Sequence, residues 1–413
     1  MSAGFSRQDG VLVCDGVSLE ALARTHGTPL YVYSAGTIEE SFRRFDAAFA
    51  PAPHLVCYAA KANSNRAILT RLAALGSGAD VVSGGELAHA LASGIPAERI
   101  VFSGVGKTDA EIEAGVAAEI LAFNAESERE IEKIDASARR AGKVARVSLR
   151  VNPDIDAHSH PHISTGLKQN KFGIDIARAP EIFERARRSS GVRLVGLQAH
   201  VGSQIFDIEP LARTARDLAA LAGTLAASGF AIELLDVGGG IGVGPGAPSP
   251  EAYAAAVLPH LGGRGARVLI EPGRAIAGPA GALLTRVLYV KQERGKTFVV
   301  VDAGMNDLVR PALYQACHPI EPVRAASDGT ARITADVVGP VCESADCFLR
   351  DAELPALAEG DLLALRDVGA YGYAMASNYN FRPRPAEVLV EQGAGRLVRR
   401  RETFEDVSRG EIA

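Results

Sequence analysis

The sequence lacks the features that mark several large classes of protein. Its five cysteines are scattered and show no CxxC spacing, so it supports neither a disulfide framework nor a zinc ribbon. No run approaches about 18 consecutive apolar residues, and the opening MSAGFSRQDG lacks the charged, apolar and small-residue regions of a signal peptide. We therefore expect a cytoplasmic protein with no structural metal and no membrane span.

The sequence also lacks an excess of one charge and the common nucleotide-binding motifs. Its 44 basic and 49 acidic residues give a formal net charge of −5, which offers no basic surface to nucleic acid or to an anionic membrane. Neither GxGxxG after a strand nor GxxxxGK[ST] is found, so dinucleotide and nucleoside triphosphate sites have little support. The expected partner is a small molecule.

The apolar pattern predicts a barrel of alternating strands and helices. The 413 residues suit two or three domains, or one large barrel with a smaller domain. Eight short β-rich runs are separated by longer stretches of helical period. These runs are 55–59, 80–82, 100–102, 119–123, 145–151, 193–199, 232–237 and 267–271. Eight parallel strands with intervening helices are typical of a (β/α)8 TIM-type barrel, the fold class that we predict.

The pattern changes near residue 281. The runs TRVLYVKQERGKTFVVVDAG, ARITADVVGP and AEVLVEQGAGRLVRRRE indicate strands and hairpins with little helix between them. The early run LYVY is strand-like and precedes the first barrel unit. We therefore predict an α/β protein in which residues 36–280 form the barrel, and residues 1–35 with 281–413 form a second, mostly β domain.

Polar residues follow the predicted strands, at the end where barrel enzymes place their chemistry. They are Lys61 after the first strand, His200 and Ser203 after the sixth, Gly238, Gly239 and Gly240 after the seventh, and Glu271, Pro272, Gly273 and Arg274 after the eighth. Because the carboxyl ends of barrel strands meet at one mouth, these groups are expected to converge.

Lysine and glycine at this mouth indicate a particular cofactor. Lys61 lies between two alanines, where poor solvation favours the neutral amine that an imine-forming lysine requires. Gly238 to Gly240 follow the seventh strand, where barrels bind phosphate through backbone N–H groups that no side chain covers. The same three glycines also suit a flexible turn. An imine-forming lysine beside a phosphate site indicates pyridoxal 5'-phosphate.

Two further mouth residues suit this cofactor. Glu271 is placed to hold the proton on the ring nitrogen and preserve the electron sink; the alternative is a structural ion pair with Arg274. His200 is either a core histidine or the imidazole that stacks on the cofactor ring. In the second domain, Cys342 is either a buried filler or a thiol that donates a proton.

The sequence resembles a known family over nearly its whole length, from PLYVY to RPRPAEVLV. The motifs YAAKAN, ADVVSGGE, HVGSQI, DVGGGIG, EPGR, RPALYQA, CESAD and GAYG resemble the fold-type III, alanine-racemase-like pyridoxal-phosphate decarboxylases. The stretch RVNPDIDAHSHPHISTGLKQNKFGID is similar to a loop of the diaminopimelate decarboxylases. Small departures at His158, Ser159 and His162 keep the length of that loop.

The resemblance implies a role for each residue. Lys61 is the Schiff-base lysine and Glu271 contacts the ring nitrogen. Gly238 to Gly240, Ser203, the turn from Glu271 to Arg274 and Tyr371 hold the phosphate side. Arg274, Arg310 and Tyr314 bind the far carboxylate of the substrate, and Glu343 binds its far ammonium group. Tyr371 also belongs to the substrate-binding residues, and Cys342 reprotonates Cα. The family also implies a homodimer in which the segment of Cys342 and Glu343 enters the active site of the other subunit.

The substrate implied by the resemblance is meso-2,6-diaminopimelate, converted to L-lysine and CO2 in the last step of lysine biosynthesis. Its non-reacting end carries a carboxylate and an ammonium group, which two arginines and one glutamate suit. A lysine or ornithine site has no far carboxylate to pair with buried arginines. The alternatives are a related decarboxylase of another basic or carrier-bound amino acid, an amino-acid racemase, and a non-enzymatic pyridoxal-phosphate carrier. Glu271 disfavours the racemase, and the β domain disfavours the carrier.

Overall fold

The computed structural model describes residues 4–156, 166, 170–261, 263 and 265–412. The chain divides into two compact units. One comprises Glu39–Ala275, and the other comprises Ile276 onward together with the chain up to Ile38. The loop positions His158, Ser159 and His162 lie outside the described residues.

The amino-terminal part of the chain contains four strands and two helices. They are β1 (Phe5–Gln8), β2 (Val11–Cys14), β3 (Val17–Ser18), α1 (Leu19–His26), β4 (Leu30–Ser34) and α2 (Ala35–Phe49). Strands β1, β2 and β3 form a small antiparallel sheet. Helix α1 begins where the Ser18 hydroxyl accepts a hydrogen bond from the Ala21 N–H, because a serine at this position satisfies an otherwise unpaired donor.

The unit Glu39–Ala275 contains a closed barrel of eight parallel strands, which confirms the predicted fold class. Its strands are β5 (His54–Ala59), β6 (Gly78–Val81), β7 (Ile100–Phe102), β8 (Ala122–Ala125), β9 (Ala145–Asn152), β11 (Val192–Gln198), β12 (Leu234–Asp236) and β13 (Arg267–Ile270). Each pairs with the next in parallel, and β13 pairs with β5 to close the ring. A short strand, β10 (Ile174–Asp175), pairs with the end of β9.

Helices cover the outside of the barrel, and 3-10 turns occur at several strand ends. The helices are α3 (Arg66–Ala74), α4 (Gly84–Ala92), α5 (Asp109–Ala118), α6 (Glu128–Arg140), α7 (Ala179–Ala186), α8 (Glu209–Ala227) and α9 (Pro250–Leu261). Most residues of the strands are apolar because a parallel sheet covered by helices is buried on both faces. Leu55, Val101, Val195 and Leu269 belong to one buried cluster of this core.

The fourth barrel strand begins later than the sequence predicts. The predicted strand 119–123 starts at Glu119, but α5 continues to Ala118 and ends there with Glu119 in a left-handed conformation, φ 54°. The Glu119 N–H donates to the Val116 carbonyl at 3.2 Å. The apolar residues that follow Glu119 resemble a strand in the sequence. They belong instead to the turn after the helix, and β8 starts only at Ala122.

The second unit is mostly β. After α10 (Arg274–Ala277) the chain forms β14 (Gly281–Glu293), β15 (Lys296–Val301), α11 (Arg310–Tyr314), β16 (Ile320–Pro322), β17 (Arg332–Val338), β18 (Cys347–Pro355), β19 (Leu362–Arg366), β20 (Ala386–Glu391), β21 (Ala394–Arg399) and α12 (Phe404–Ser408). The main sheet has the order β18-β17-β15-β14-β4-β20-β21, and β19 pairs with β14 and β16. The early strand β4 lies between β14 and β20, so the two ends of the chain share one sheet.

None of the helices in the described part of the chain is long and apolar enough to span a membrane.

Candidate active site

Lys61 lies at the mouth of the barrel and is paired with a buried aspartate. It occupies a single 3-10 turn, Ala60–Ala62, directly after β5. Its Nζ donates to Asp80 Oδ2 at 2.6 Å; the Asp80 side chain is fully buried in β6, while the Lys61 side chain is 32% exposed. The amine is thus held as an ion pair at the surface of the mouth, and it is less isolated from charge and water than its alanine neighbours suggest.

Glu271 forms the centre of a buried polar cluster inside the barrel. It directly follows β13 and accepts weak hydrogen bonds from Asn124 Nδ2 at 3.4 Å and from Gln198 Nε2 at 3.3 Å. Its carboxyl group also interacts with that of Asp236, from β12. Ionising both of these buried carboxyl groups costs free energy, because neither charge is solvated by water and the two charges repel each other.

Burial controls the proton of this carboxyl pair. Desolvation raises the pKa of Glu271 well above its usual value, and the neighbouring charges of Asp236 and Asp80 raise it further. Desolvation also raises the pKa of Asp236 to about 6, although hydrogen bonds from Glu271 and the Gly238 N–H oppose this. Burial therefore favours the protonated form of both carboxyl groups, so this pair takes up a proton more readily than exposed carboxyl groups do.

Several oxygens of this cluster are buried without a donor. Within the described part of the chain, Asp80 Oδ1, Asn124 Oδ1, Gln198 Oε1 and Asp236 Oδ2 accept no hydrogen bond. Buried polar atoms normally have partners, so this region suits a further polar group. These atoms are all acceptors and need a donor, which the protonated ring nitrogen of a pyridoxal cofactor can supply, so the residues present fit the predicted cofactor.

The triglycine turn after β12 is tightly built. Gly238 and Gly240 adopt positive φ values of 67° and 110°, and a Cβ on Gly239 would lie 2.1 Å from the Glu271 carbonyl oxygen. The Gly238 N–H donates to Asp236 Oδ1 at 2.8 Å, and the Gly239 N–H donates to His200 Nδ1 at 3.2 Å. The sequence analysis assigns the backbone N–H groups of all three glycines to the cofactor phosphate. Two of them donate to protein side chains in this structure.

The Gly239 contact determines the protonation state of His200. Because Nδ1 accepts, a neutral ring carries its proton on Nε2. Desolvation, and then the positive charges of Lys61 and Arg150, hold the pKa of His200 well below its usual 6.5, although the residue as a whole is only half-buried. A neutral imidazole fixed by a backbone donor is suited to stacking on an aromatic ring.

The turn after β13 joins three parts of the mouth. The Pro272 carbonyl accepts from the Ala59 N–H at 3.3 Å. A Cβ on Gly273 would lie 2.9 Å from the Cβ atoms of Ala59 and Ala62, on either side of the lysine turn. Arg274 donates to Ser203 Oγ at 2.9 Å. The structure thus brings together the predicted barrel residues. Arg274 is hydrogen-bonded to Ser203, and Glu271 is hydrogen-bonded to the amide side chains of the polar cluster.

The predicted residues of the β unit form separate groups. Arg310 is buried at the start of α11, and its Cζ lies 5.6 Å from the centre of the Tyr314 ring. Cys342 and Glu343 are exposed; the Cys342 N–H donates to Asn380 Oδ1 at 3.2 Å, and the Tyr379 hydroxyl donates to Glu343. Tyr371 is half-buried in a left-handed conformation, φ 55°, which is a strained state for a tyrosine.

Sequence reasoning missed the polar residues inside the barrel strands. It considered only residues that follow the strands, whereas Asp80, Asn124, Gln198 and Asp236 lie within β6, β8, β11 and β12. The available signal was a polar side chain within a run of apolar residues, such as Asp236 in LLDV. In a barrel whose strands are buried on both faces, such a residue needs a partner.

Comparisons with known proteins agree with this architecture. The family model described as "Pyridoxal-dependent decarboxylase, pyridoxal binding domain" matches residues 35–278. The chain is 50% identical to a diaminopimelate decarboxylase of Neisseria meningitidis serogroup A over 97% of this chain and 99% of that protein.

Solved structures give the same result. A diaminopimelate decarboxylase from Helicobacter pylori complexed with L-lysine superimposes with a TM-score of 0.91 at 46% identity, covering 94% of this chain and 98% of that chain. One from M. jannaschii in co-complex with L-lysine gives 0.95 at 38% identity, covering 100% of this chain and 98% of that chain. The similarity therefore extends over both compact units.

Proposed function

Because the chain belongs to the pyridoxal-dependent decarboxylases, and among them is similar over its whole length to diaminopimelate decarboxylases, we propose that it converts meso-2,6-diaminopimelate to L-lysine and CO2. This is the last step of lysine biosynthesis. The observation that carries the proposal is full-length similarity, since it includes the β unit with Arg310 and Tyr314 as well as the barrel. The protein is a carboxy-lyase.

Residues of the barrel, with Tyr371 of the β unit, would hold pyridoxal 5'-phosphate. Lys61 would bind it covalently, His200 would face its ring, and the phosphate side would lie at Ser203, the Gly238–Gly240 turn, the turn from Glu271 to Arg274, and Tyr371. When bound, this cofactor accepts the electron pair left on Cα as the bond to the departing CO2 breaks.

Protein groups would control the protons of the reaction. Burial raises the pKa of Glu271 and of the neighbouring Asp236, so the site offers a carboxyl group suited to holding a proton at the ring nitrogen. Asp80 keeps Lys61 Nζ at the mouth. Cys342 would deliver the proton that replaces CO2 on Cα.

The substrate's non-reacting end would be recognised by charge. Arg274, Arg310 and Tyr314 would bind its carboxylate, and Glu343 would bind its ammonium group. Arg310 is buried, so an anion at its guanidinium is worth more than at an exposed arginine. Ligands without this carboxylate leave the arginine without that pairing, which favours diaminopimelate over ornithine or a diamine.

We further propose that two copies of this chain share their active sites, with the exposed Cys342 and Glu343 of each copy serving the other, and that the enzyme works in the cytoplasm. Exposure of a charged residue and a thiol on one segment supports the first of these proposals.

A direct assay tests the reaction. Purified protein loaded with pyridoxal 5'-phosphate is incubated with meso-diaminopimelate, and lysine and CO2 are quantified; ornithine, D-lysine and L-lysine are the controls. We expect equimolar lysine and CO2 from diaminopimelate alone. Faster release of CO2 from a control substrate would assign the enzyme to another member of the family.

A further inference from the structure

A buried histidine contacts the arginine that the proposed function assigns to the substrate's non-reacting carboxylate. His318 and Arg310 are both buried in the β unit. Arg310 Nε donates to His318 Nε2 at 3.4 Å, and the Tyr314 ring lies beside the same guanidinium. Sequence reasoning did not select His318, which lies eight residues after Arg310.

The second ring nitrogen of His318 explains the direction of this hydrogen bond. Nδ1 lies 3.1 Å from the Arg366 carbonyl oxygen, which can only accept, so Nδ1 carries the proton. In a neutral ring Nε2 is then an acceptor, which matches the guanidinium because arginine can only donate. The two contacts are consistent with one protonation state, the neutral ring with its proton on Nδ1.

The local fold makes this contact rigid. Helix α11 is a short helix that ends at Gln315, whose left-handed conformation, φ 52°, turns the chain back, with its N–H donating to the Arg310 carbonyl. Pro319 then accepts from the Arg366 N–H at 2.8 Å, and Ile320 pairs with Leu365. His318 is therefore fixed between the arginine helix and the end of β19.

Such a contact orients a planar group. A guanidinium binds a carboxylate with two parallel N–H bonds only if its plane is correctly placed. Holding Nε from one side and the ring of Tyr314 beside it restricts rotation of that plane. The non-reacting end of the substrate does not change during the reaction, so loss of orientation weakens ground-state and transition-state binding equally.

From these contacts we infer that His318 is a positioning residue, which sets the plane of Arg310 for the α-amino-carboxylate end that meso-diaminopimelate and L-lysine share. The inference rests on the proposed function, because that function assigns the carboxylate to Arg310. Ligands without this carboxylate, such as the diamine cadaverine, gain nothing from His318.

Two amide substitutions of His318 test the roles of its two ring nitrogens separately. His318→Asn places its amide near the Nδ1 position and removes the acceptor for Arg310, whereas His318→Gln reaches the Nε2 position with an amide oxygen. We expect His318→Asn to raise KM for diaminopimelate and the inhibition constant of L-lysine by about tenfold, and to leave kcat within about twofold. His318→Gln should recover most of this loss, and inhibition by cadaverine should not change. The exposed neighbour Cys317 supplies the matched control, Cys317→Ser.

A double-mutant cycle distinguishes positioning from a general structural effect. If His318 acts through Arg310, His318→Asn adds no further loss of L-lysine affinity in an Arg310→Ala background. Should His318→Asn not fold, the smaller loss expected for His318→Gln must vanish in the same background. Equal weakening of L-lysine and cadaverine, or additive losses in the cycle, would overturn the inference. If the wild type binds L-lysine but does not decarboxylate diaminopimelate, the proposed function fails while the binding cycle still decides the role of His318.

Discussion

At the scale of single residues, the same acidic side chain serves different purposes according to its surroundings. Glu271 is buried beside two aspartates, and desolvation raises its pKa, whereas Glu251 on α9 lies at the surface in an ion pair with Arg44. Burial thus favours the protonated form of Glu271, whereas the Arg44 guanidinium lowers the pKa of Glu251 to about 2. This difference leads to a prediction at one atom of the site.

Glu271→Gln should retain bound cofactor and lose most of its rate. The amide has nearly the same shape but cannot hold a proton at the ring nitrogen, so an electrostatic contribution to the transition state is removed. We expect kcat to fall by ~10²-fold or more. Cofactor content is measured by absorbance and turnover by lysine release. Glu251→Gln is the control and should keep wild-type kcat; near-normal turnover by Glu271→Gln would contradict the assigned role.

Asp307 is a buried carboxylate in the β unit. Its side chain accepts from the Gly304 N–H at 2.9 Å and from Asn306 Nδ2 at 2.9 Å, yet desolvation raises its pKa from 3.8 to about 7. A carboxyl group whose pKa is higher in the folded state stabilises the fold fully below its unfolded pKa. That contribution is lost as pH rises through the folded value.

Asp307→Asn should therefore make stability less dependent on pH. Between about pH 4 and pH 7 the wild-type residue loses stabilisation on the order of 4 kcal/mol, an upper figure because the folded state can relax. The urea midpoint of the variant, relative to wild type, should rise between pH 5 and pH 8. The exposed Asp328 provides the control, Asp328→Asn, whose difference from wild type should be the same at both pH values. An equally constant difference for Asp307→Asn would disprove the prediction.

At the scale of elements, the turn between β12 and the following loop leaves no room for a side chain. A Cβ on Gly239 would lie 2.1 Å from the Glu271 carbonyl oxygen, whereas one on Gly106 would meet no atom within 4 Å. The clash involves backbone on both sides, so it can be relieved only by moving two strand ends apart.

Gly239→Ala should consequently damage the mouth of the barrel more than the overall fold. We expect cofactor affinity to fall at least about tenfold and thermal stability to drop by about 1–3 kcal/mol, the range for inserting a methyl group into a packed site. Cofactor titration and thermal unfolding measure the two effects. Gly106→Ala should match the wild type in both, and an unchanged cofactor affinity in Gly239→Ala would mean that the turn is not part of the cofactor site.

At the scale of the whole molecule, the proposed exchange of residues between subunits predicts complementation. Lys61→Ala and Cys342→Ala should each be poor catalysts as homodimers. After subunit exchange, about half the dimers are mixed and each has one complete site of two, so activity should return to about a quarter of wild type. The readout is lysine release before and after exchange, and the control mixes Lys61→Ala with itself. No recovery would place Cys342 in the site of its own subunit, and an active Cys342→Ala homodimer would show that the thiol is not the proton donor.

Much of the fold follows from local patterns that the sequence contains in full. The alternation of short apolar runs with helical stretches predicted all eight barrel strands, because strand and helix period are set by neighbours along the chain. It also placed Lys61, Glu271 and the triglycine at strand ends, from which a shared mouth follows once the fold class is known. The predicted start of β8 was wrong. Helix α5 ends with Glu119 in a left-handed conformation, and a glutamate does not mark a helix end in the sequence as a glycine would.

Only the tertiary structure decided which side chains touch. Three features each depend on distances across a barrel or between a helix and a strand. They are the interaction of the Asp236 and Glu271 carboxyl groups, the use of the Gly238 and Gly239 N–H groups by Asp236 and His200, and the contact of His318 with Arg310. Strand register and the closure of the ring set the distances across the barrel. Composition and periodicity determine which residues reach an edge of the fold, but they do not determine which of them meet there.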